Sequence, residues 1–157
     1  MSIDRARAYL AERGLEDHIM EFEQSSATVE LAARAVGCEP ARIAKTLSFH
    51  VDGRVALILF AGDARIDNQK FKLRFHAKAK MLRAEEAEEL IGYGVGGVCP
   101  FGVNEGCDIY LDDSLKRFDT VYPAAGNAAS AVRLTLEELE RACDPCEWVD
   151  VSKLLPL

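Results

Sequence analysis

The sequence is poor in cysteine and proline and has no long apolar run. Five cysteines and five prolines occur among 157 residues, too few for a disulfide scaffold and without the bias of a fibrous chain. The longest apolar run, Val55 to Ala61, is far shorter than the ~20 residues that cross a bilayer. Residues 1–5 also lack the basic region and apolar stretch of a secretory signal. These absences predict a cytoplasmic protein with reduced thiols and no membrane contact.

Basic residues are outnumbered, with 19 Lys and Arg against 26 Asp and Glu, so the formal net charge is −7. A protein that grips nucleic acid over a long stretch neutralises many phosphates and is normally basic. The composition therefore argues against DNA as a partner and against extended, unselective RNA binding. Because 49% of the residues are hydrophobic, the chain has enough apolar side chains for a core. We expect a single domain over residues 1–157.

Apolar spacing and capping residues predict four helices. They cover residues 2–13, 29–36, 84–91 and 136–142. Thr28 is the predicted N-cap of the second helix, and Thr135 with Glu138 forms a capping box before the last. Gly37 and Gly92 are placed to end the second and third helices, and Pro40 is typical of the first position of a short helical turn.

Residues 46–51 and 54–60 are rich in aliphatic and β-branched side chains, and Asp52-Gly53 between them predicts a tight hairpin. Further strands are expected at residues 107–111, 120–122 and 131–134, with a turn at 112–114. Residues 70–80 alternate basic and apolar side chains like a strand, but Asp67-Asn68 could cap a helix there, so both alternatives stay open. Helices and strands interleave irregularly, which favours an α+β fold with a mixed sheet over a doubly wound parallel sheet.

Two segments match motifs for a cofactor or for redox chemistry, but the elements predicted around them do not fit those functions. Residues 92–97 satisfy the dinucleotide-binding pattern G-x-G-x-x-G, but a helix precedes them and Pro100 follows closely. Cys143 and Cys146 have the spacing of a redox pair, yet they follow a predicted helix instead of opening one. A structural zinc site would need a second close pair. We therefore predict no metal and no cofactor, and interpret the cysteines as part of a turn.

One stretch of the acidic chain is basic. Residues 65–83 hold seven basic side chains against Asp67 alone, a local charge of +6 in a chain whose remainder carries −13. Such a stretch is often only a solvated face, but it is also where a phosphate backbone would touch. The tRNA contacts expected from this stretch are Lys70, Lys72, Arg74, Lys78 and Lys80.

Three segments together resemble the YbaK/EbsC family, which is related to the editing insertion of prolyl-tRNA synthetase. They are A-K-T-L at residues 44–47, G-D-A-R-I-D at 62–67, and G-G-V-C-P-F-G at 96–102. The resemblance extends over nearly the whole chain. It implies a freestanding aminoacyl-tRNA deacylase with a curved, mixed, barrel-like β-sheet and helices outside, acting on the aminoacylated 3′ end of a tRNA. An aminoacyl-tRNA synthetase stays open as a second partner.

Carried over by position, the resemblance also implies the site residues. Lys45 matches the functional lysine of the family, and Gly96, Gly97 and Gly102 match the glycine loop that lines the aminoacyl pocket. The substrate-binding residues expected beside them are Phe22, Thr46, Pro100, Phe101 and Asn127. Cys99 stands where relatives often have Ser, so we do not expect it to be an obligatory nucleophile.

An aminoacyl ester is already activated, so an enzyme of this kind needs mainly to orient it and to stabilise the developing oxyanion. We expect backbone amides of the glycine loop and Lys45 to do this, while a ribose hydroxyl of the tRNA helps to position water. The accepted amino acid, Ala, Ser, Thr or Cys, is left open. Two alternatives remain: a non-catalytic module that binds aminoacyl-tRNA or a synthetase, and a thiol oxidoreductase that uses Cys143 and Cys146.

Overall fold

A computed structural model describes residues 2–25 and 28–154. Its five α-helices are α1 (Ser2–Ala11), α2 (Val29–Val36), α3 (Asn68–Phe75), α4 (Ala84–Ile91) and α5 (Leu136–Cys143). Short 3-10 turns lie at Glu16–His18, Pro40–Arg42 and Asp113–Arg117. None of the helices in these described ranges is long and apolar enough to cross a membrane.

Ten strands complete the fold: β1 (Ile19–Glu21), β2 (Ile43–Val51), β3 (Arg54–Ala61), β4 (Ala64–Ile66), β5 (Cys107–Asp112), β6 (Thr120–Pro123), β7 (Ser130–Val132), β8 (Leu134–Thr135), β9 (Cys146–Val149) and β10 (Ser152–Leu154). Six of them form a curled, half-barrel sheet in the order β8-β6-β2-β3-β5-β9. The pairs β2–β6, β3–β5 and β5–β9 are parallel, whereas β2–β3 and β6–β8 are antiparallel. The predicted α+β fold with a curved, mixed sheet is therefore confirmed.

The predicted hairpin joins β2 to β3, and Val51 pairs with Arg54 across the turn. Asp52 and Gly53 both have positive φ angles, 50° and 76°. A two-residue turn of this kind matches the right-handed twist of the strands, and Asp-Gly adopts it at low cost. The long antiparallel pair that results carries the residues of the site described below.

Helix ends also follow the sequence signals. Thr28 accepts a hydrogen bond from the Leu31 amide (3.1 Å), and Gly37 ends α2 in the left-handed conformation. Thr135 and Glu138 form the reciprocal capping box of α5. The first helix is shorter than predicted, because the chain leaves helical geometry after Ala11.

The ambiguous residues 70–80 divide into a helix and an extended segment. The Asp67 carboxylate accepts from the amides of Gln69 and Lys70 and starts α3, which ends where His76 adopts a left-handed conformation. The helical alternative is thus correct up to Phe75, because Phe71 and Phe75 on one helical face pack into the core. Beyond it the chain has no regular secondary structure until it reaches the edge of β2, where Met81 pairs with Phe49.

Three other expectations need correction. The strand expected at residues 131–134 is split, because β7 pairs with β1 while β8 pairs with β6. The turn expected at 112–114 continues as a 3-10 helix to Arg117. The short strands β1, β4, β9 and β10 were not predicted, since three or four residues carry too little alternation to be recognised.

The core lies between the sheet and the surrounding helices. Every residue of β3 after Arg54 is buried, as expected for a central strand with both faces covered. Aromatic rings of α3 pack on Phe49 with centroids 5.0 Å apart and on Tyr110 with centroids 5.0 Å apart. This packing fixes β2 in the middle of the molecule.

Candidate active site

A cavity of about 400 Å³ lies beside β2. Its walls come from five parts of the chain that are distant in sequence: the start of α2, residues 43–48 of β2, residues 81–87, residues 95–98, and residues 122–131. Lys45, Thr46, Gly96 and Asn127, all predicted as site residues, line this one cavity.

The cavity lies at a gap in the hydrogen bonding of β2. On the edge away from β3, β6 pairs with β2 only at Ile43 and Ala44. Further along the same edge, His50 N–H donates to the Lys80 carbonyl (2.9 Å) and Leu82 N–H donates to the Ser48 carbonyl (3.1 Å). Residues 45–47 lie between these two pairings, so this stretch of the edge is open to a ligand.

Thr46 presents three polar groups at the gap. Main-chain groups of a strand alternate between its two edges, and those of Ser48 and His50 point outward. The N–H and C=O of Thr46 therefore point to the same edge, where they have no strand partner in the described parts of the chain. The Thr46 Oγ1 atom is buried and likewise lacks a hydrogen-bond partner among the described residues. Buried polar groups normally have partners, so Thr46 is suited to bind a polar ligand.

Lys45 is half-buried in the wall of the cavity. Burial lowers the pKa of its ammonium group, while the nearby carboxylates of Asp63 and Glu30 act in the opposite direction. Asp63 is itself held by Arg117 through two hydrogen bonds of 2.9 and 2.5 Å, which lower the pKa of that carboxyl. The cavity wall thus contains a partly desolvated cation whose charge is favoured by the carboxylates of Asp63 and Glu30.

The glycine loop touches the cavity at one end only. Gly97 N–H donates to the Gly94 carbonyl (3.1 Å) and closes a turn in which Gly96 has φ 89°. Gly97 lies against the next loop so closely that a Cβ would meet the Gly126 carbonyl oxygen at 2.4 Å. The amide of Gly97 is therefore engaged within the turn, and Gly96 is the glycine that lines the cavity.

Asn127 shapes the loop opposite. Its side-chain oxygen accepts from the Ala129 amide (2.9 Å), and its carbonyl accepts from Ser130 Oγ (3.2 Å). The side-chain NH₂ of Asn127 is the group left for a ligand in the cavity.

Four predicted residues lie elsewhere. Phe101 is fully buried with its ring near Tyr9, and its carbonyl accepts from the Tyr93 hydroxyl. Pro100 and Gly102 border a second groove beside Tyr9, where the Gly102 carbonyl accepts from Arg5 Nε (2.6 Å). Phe22 is bonded through its amide to the Ala129 carbonyl (2.8 Å), next to the Asn127 loop but not in the described lining of the cavity.

The cysteines are placed for packing. Cys99 and Cys143 are fully buried, and burial raises the pKa of the Cys99 thiol to about 12 and that of Cys143 well above its usual value. Burial also raises the pKa of the Cys146 thiol. Nucleophilic cysteines have lowered pKa values, so these environments speak against thiol chemistry.

The expected tRNA contacts fall into two groups. Lys70 donates to Asp150 (3.0 Å) and to the Ser152 carbonyl (2.9 Å), and Arg74 pairs with Glu147. Lys72, Lys78 and Lys80 are exposed and have no carboxylate partner in residues 2–25 and 28–154. The basic stretch is therefore partly neutralised on α3.

Sequence reasoning missed the residues that support Lys45. Asp63 belongs to a segment used for the family resemblance, yet no role was assigned to it, because Arg117 is 54 positions away. Met81 and Val95, both exposed at the cavity, were missed as well. Neither carries a motif that marks it.

Comparisons with known proteins identify the family of the chain. A model of the aminoacyl-tRNA editing domain family matches residues 23–142. The uncharacterized protein YwhH of Bacillus subtilis is 47% identical over 154 residues, 98% of each chain. The proline–tRNA ligase of Lysinibacillus sphaericus is 32% identical over 90 residues, which are 57% of this chain and 16% of the ligase. This chain therefore spans only a small part of such ligases.

Solved structures give the same result. A crystal structure described as that of a candidate trans-editing enzyme for prolyl-tRNA synthetase has a TM-score of 0.87 and 31% identity, with 97% of both chains covered. A scaffold protein used for epitope grafting has a TM-score of 0.88 and 28% identity over 98% of both chains. The resemblance predicted from the three sequence segments is confirmed, and the chain belongs to the aminoacyl-tRNA editing domain family.

Proposed function

We propose that this protein hydrolyses the ester of a mischarged aminoacyl-tRNA in the cavity beside β2, acting on tRNA released by a synthetase. The observation that carries the proposal is that Lys45, Thr46, Gly96 and Asn127 meet in one cavity at the gap in the β2 edge. The family match and the likeness to a candidate trans-editing enzyme support it.

The donors suit an ester carbonyl. The free N–H of Thr46 and its Oγ1 can donate to the carbonyl oxygen, and the Lys45 ammonium stabilises the negative charge that develops there. Because Lys45 is already half-desolvated, its electrostatic effect on the oxyanion is stronger than that of an exposed lysine. We assign the oxyanion site to Thr46 and Lys45, with Gly96 shaping the wall, rather than to the amide of Gly97.

The proposed reaction does not use a carboxylate, imidazole or thiol of the protein as the base. No Asp, Glu, His or Cys is among the described residues that line the cavity. In this proposal, the vicinal ribose hydroxyl of the terminal adenosine orients the attacking water. Water attacks the carbonyl carbon, the ester C–O bond breaks, and the ribose oxygen leaves with a proton. The products are the free amino acid and the uncharged tRNA.

The accepted side chain is small in this proposal. Val29, Ala32 and Ala131 provide an apolar wall, and the Asn127 NH₂ can donate to a hydroxyl group. Such a pocket fits Ala, Ser, Thr or Cys. A single methylene changes the discrimination by only ~1–3 kcal/mol, so the choice among these has to be measured.

The test is deacylation of tRNAs charged with Ala, Ser, Thr, Cys or Pro. We expect release from at least one of them, and a loss of about 10²-fold in kcat/KM for Lys45→Ala, the scale of losing one oxyanion donor. Lys153→Ala, an exposed lysine on β10, is the matched control and should behave like the parent. No release from any of the charged tRNAs, or full activity of Lys45→Ala, would contradict the proposal.

The alternative is a binding module of the same fold. The lack of a carboxylate or imidazole in the described cavity lining is the observation that favours it, since a module that only binds needs no base. Tight binding of aminoacyl-tRNA with no release during prolonged incubation would support the module over the hydrolase.

A further inference from the structure

The segment Lys78–Arg83 runs along the edge of β2 and enters the cavity lining at Met81. We call it the basic rim. Lys78 and Lys80 are exposed, and neither has a carboxylate partner among the described residues. Met81, Leu82 and Arg83 belong to the cavity lining. Lys78 and Lys80 therefore keep their positive charges on the segment that leads into the cavity lining, whereas Arg83 is paired with Glu85 and Glu86.

The basic rim has a fixed position relative to the gap. Its main chain is bonded to β2 on both sides of Met81, through the Lys80 carbonyl and the Leu82 amide. Glu86 accepts from the Arg83 amide (2.9 Å) and from His50 (3.2 Å), which ties the start of α4 to the same strand. The rim is thus part of the sheet edge rather than a free loop.

Two large apolar side chains are exposed at the cavity. Met81 is 52% exposed on the basic rim, and Val95 is 73% exposed on the glycine turn. Exposed apolar side chains that border a cavity mark a contact surface more often than isolated ones do. Both side chains are thus available to pack against an apolar or aromatic group, such as a nucleobase, at the cavity.

We propose that the single-stranded 3′ end of the tRNA enters across the basic rim, and not along α3. Unpaired bases pack on Met81 and Val95, while Lys78 and Lys80 contact the phosphates that precede the terminal ribose. Proteins commonly bind single-stranded RNA by combining base stacking with a cationic track along the backbone. This inference rests on the proposed function, because it assigns the path by which the substrate reaches Lys45.

Helix α3 offers matched controls. Lys72 and Leu73 are adjacent like Lys80 and Met81, both are exposed, and Leu73 is 78% exposed. Neither belongs to the cavity lining, whereas Met81 does and Lys80 directly precedes it. Lys70 and Arg74 on the same helix are paired with Asp150 and Glu147. Helix α3 therefore offers the same types of side chain as the basic rim at a place away from the cavity.

The test is the affinity for an uncharged tRNA transcript ending in CCA, measured at several salt concentrations. For Lys78→Gln/Lys80→Gln, we expect weaker binding and a reduction of the slope of log K against log[salt] by about 0.7 for each lost contact. For Met81→Ala, we expect about two- to fivefold weaker binding with an unchanged slope, at or below the low end for stacking a base on an aromatic ring, because the Met81 side chain has no π-face. Lys72→Gln and Leu73→Ala should match the parent.

Equal slopes for the Lys78/Lys80 variant and the parent would overturn the inference, as would a larger effect of the α3 variants. A protein that captures a synthetase but no tRNA would overturn it too. Uncharged tRNA has no ester to cleave, so this result is independent of hydrolysis. A protein that binds through the rim yet releases no amino acid would contradict the proposed function alone.

Discussion

Lys45 differs from the other lysines in its surroundings, not in its chemistry. Lys72 and Lys80 are exposed, so their charges are solvated and screened. Lys45 is half-buried, and burial lowers the pKa of its ammonium group. A buried charge destabilises a fold unless it is compensated, and Asp63 and Glu30 supply only part of that compensation. A position that carries such a cost without a structural pairing is typical of a functional site.

Gly97 is the residue whose substitution best tests the shape of the site. A methyl group there would meet the Gly126 carbonyl oxygen at 2.4 Å and its carbon at 2.5 Å. Both are main-chain atoms, so one of the two loops must move. We expect Gly97→Ala to destabilise the protein by about 1–3 kcal/mol in urea unfolding and to weaken deacylation, because Gly96 and Asn127 lie on the loops that shift.

Gly94→Ala is the control for this substitution. Gly94 has no positive φ, and its added Cβ would meet only Glu88 Oε2 at 3.4 Å, an ordinary contact. We expect its stability and activity to stay close to those of the parent. If Gly97→Ala were as stable and as active as Gly94→Ala, the close contact between the two loops would not control the cavity.

For single residues, the sequence predicts a place in the site when the side chain or the turn type is distinctive. Lys45, Gly96 and Asn127 were identified by motif, and they line one cavity. Phe101 and Gly102 belong to the same motif, but they support the fold around Tyr9. A motif reports which residues occur together in a family. It does not separate those that line a pocket from those that hold the pocket in place.

The elements around the site were predictable where local signals agree. The hairpin, the caps of α2 and α5 and the end of α4 follow from short-range chemistry. The gap in the β2 edge does not, since it depends on where β6 stops and where residue 80 begins to pair. Both partners lie downstream of β2, Lys80 30 positions after His50 and Tyr122 79 positions after Ile43, and periodicity carries no information about them.

Glu86 joins α4 to the sheet edge, and this predicts a pH dependence. Its hydrogen bond from the Arg83 amide and its contact with His50 lower the pKa of the carboxyl from 4.5 to about 2. A lowered pKa means that the carboxylate stabilises the fold fully above about pH 4.5, and that this contribution is lost as the pH falls toward 2. We expect Glu86→Gln to lower the thermal midpoint near neutral pH, with the difference from the parent shrinking in acid.

Thermal unfolding of both proteins between about pH 2 and 7 measures this difference. Glu85→Gln is the matched control, because Glu85 is exposed and lies 3.6 Å from Arg83 in an ion pair. Exposed pairs contribute little to stability, so its curve should follow the parent. A Glu86→Gln difference that stays constant down to pH 2 would show that the charge of Glu86 does not stabilise α4.

At the scale of the whole molecule, positive charge is distributed unevenly between α3 and the segment beside the cavity. The chain carries −7 overall, which opposes unselective RNA binding. Ion pairs with Asp150 and Glu147 reduce the positive field of α3. Next to the cavity lining, Lys78 and Lys80 have no carboxylate partner among the described residues, and the proposed entry of one tRNA end rests on these two charges. Composition alone excludes an extended interface, but it cannot locate a short one.

The C-terminal strand is held by one buried carboxylate. Asp112 is fully buried at the end of β5 and accepts hydrogen bonds from the amides of Ser114 (2.9 Å) and Val151 (2.9 Å) and from Ser152 Oγ (2.6 Å). These bonds link β5 to the 3-10 helix that follows it and to β10, which pairs with β4. They connect parts of the chain about forty positions apart.

Asp112→Ala therefore tests whether this carboxylate holds β10 and the 3-10 helix to β5. The substitution leaves three buried donors without an acceptor, and each unsatisfied group costs about 1–3 kcal/mol. Since some of them will find water, we expect a loss of about 2–4 kcal/mol in urea unfolding, with residual activity at low temperature because Asp112 is not in the described cavity lining. Asp113→Ala, an exposed neighbour paired with Lys116 at 3.1 Å, should change stability by no more than about 0.5 kcal/mol. Equal stabilities of the two variants would mean that β10 is held by its pairing with β4 and not by the carboxylate of Asp112.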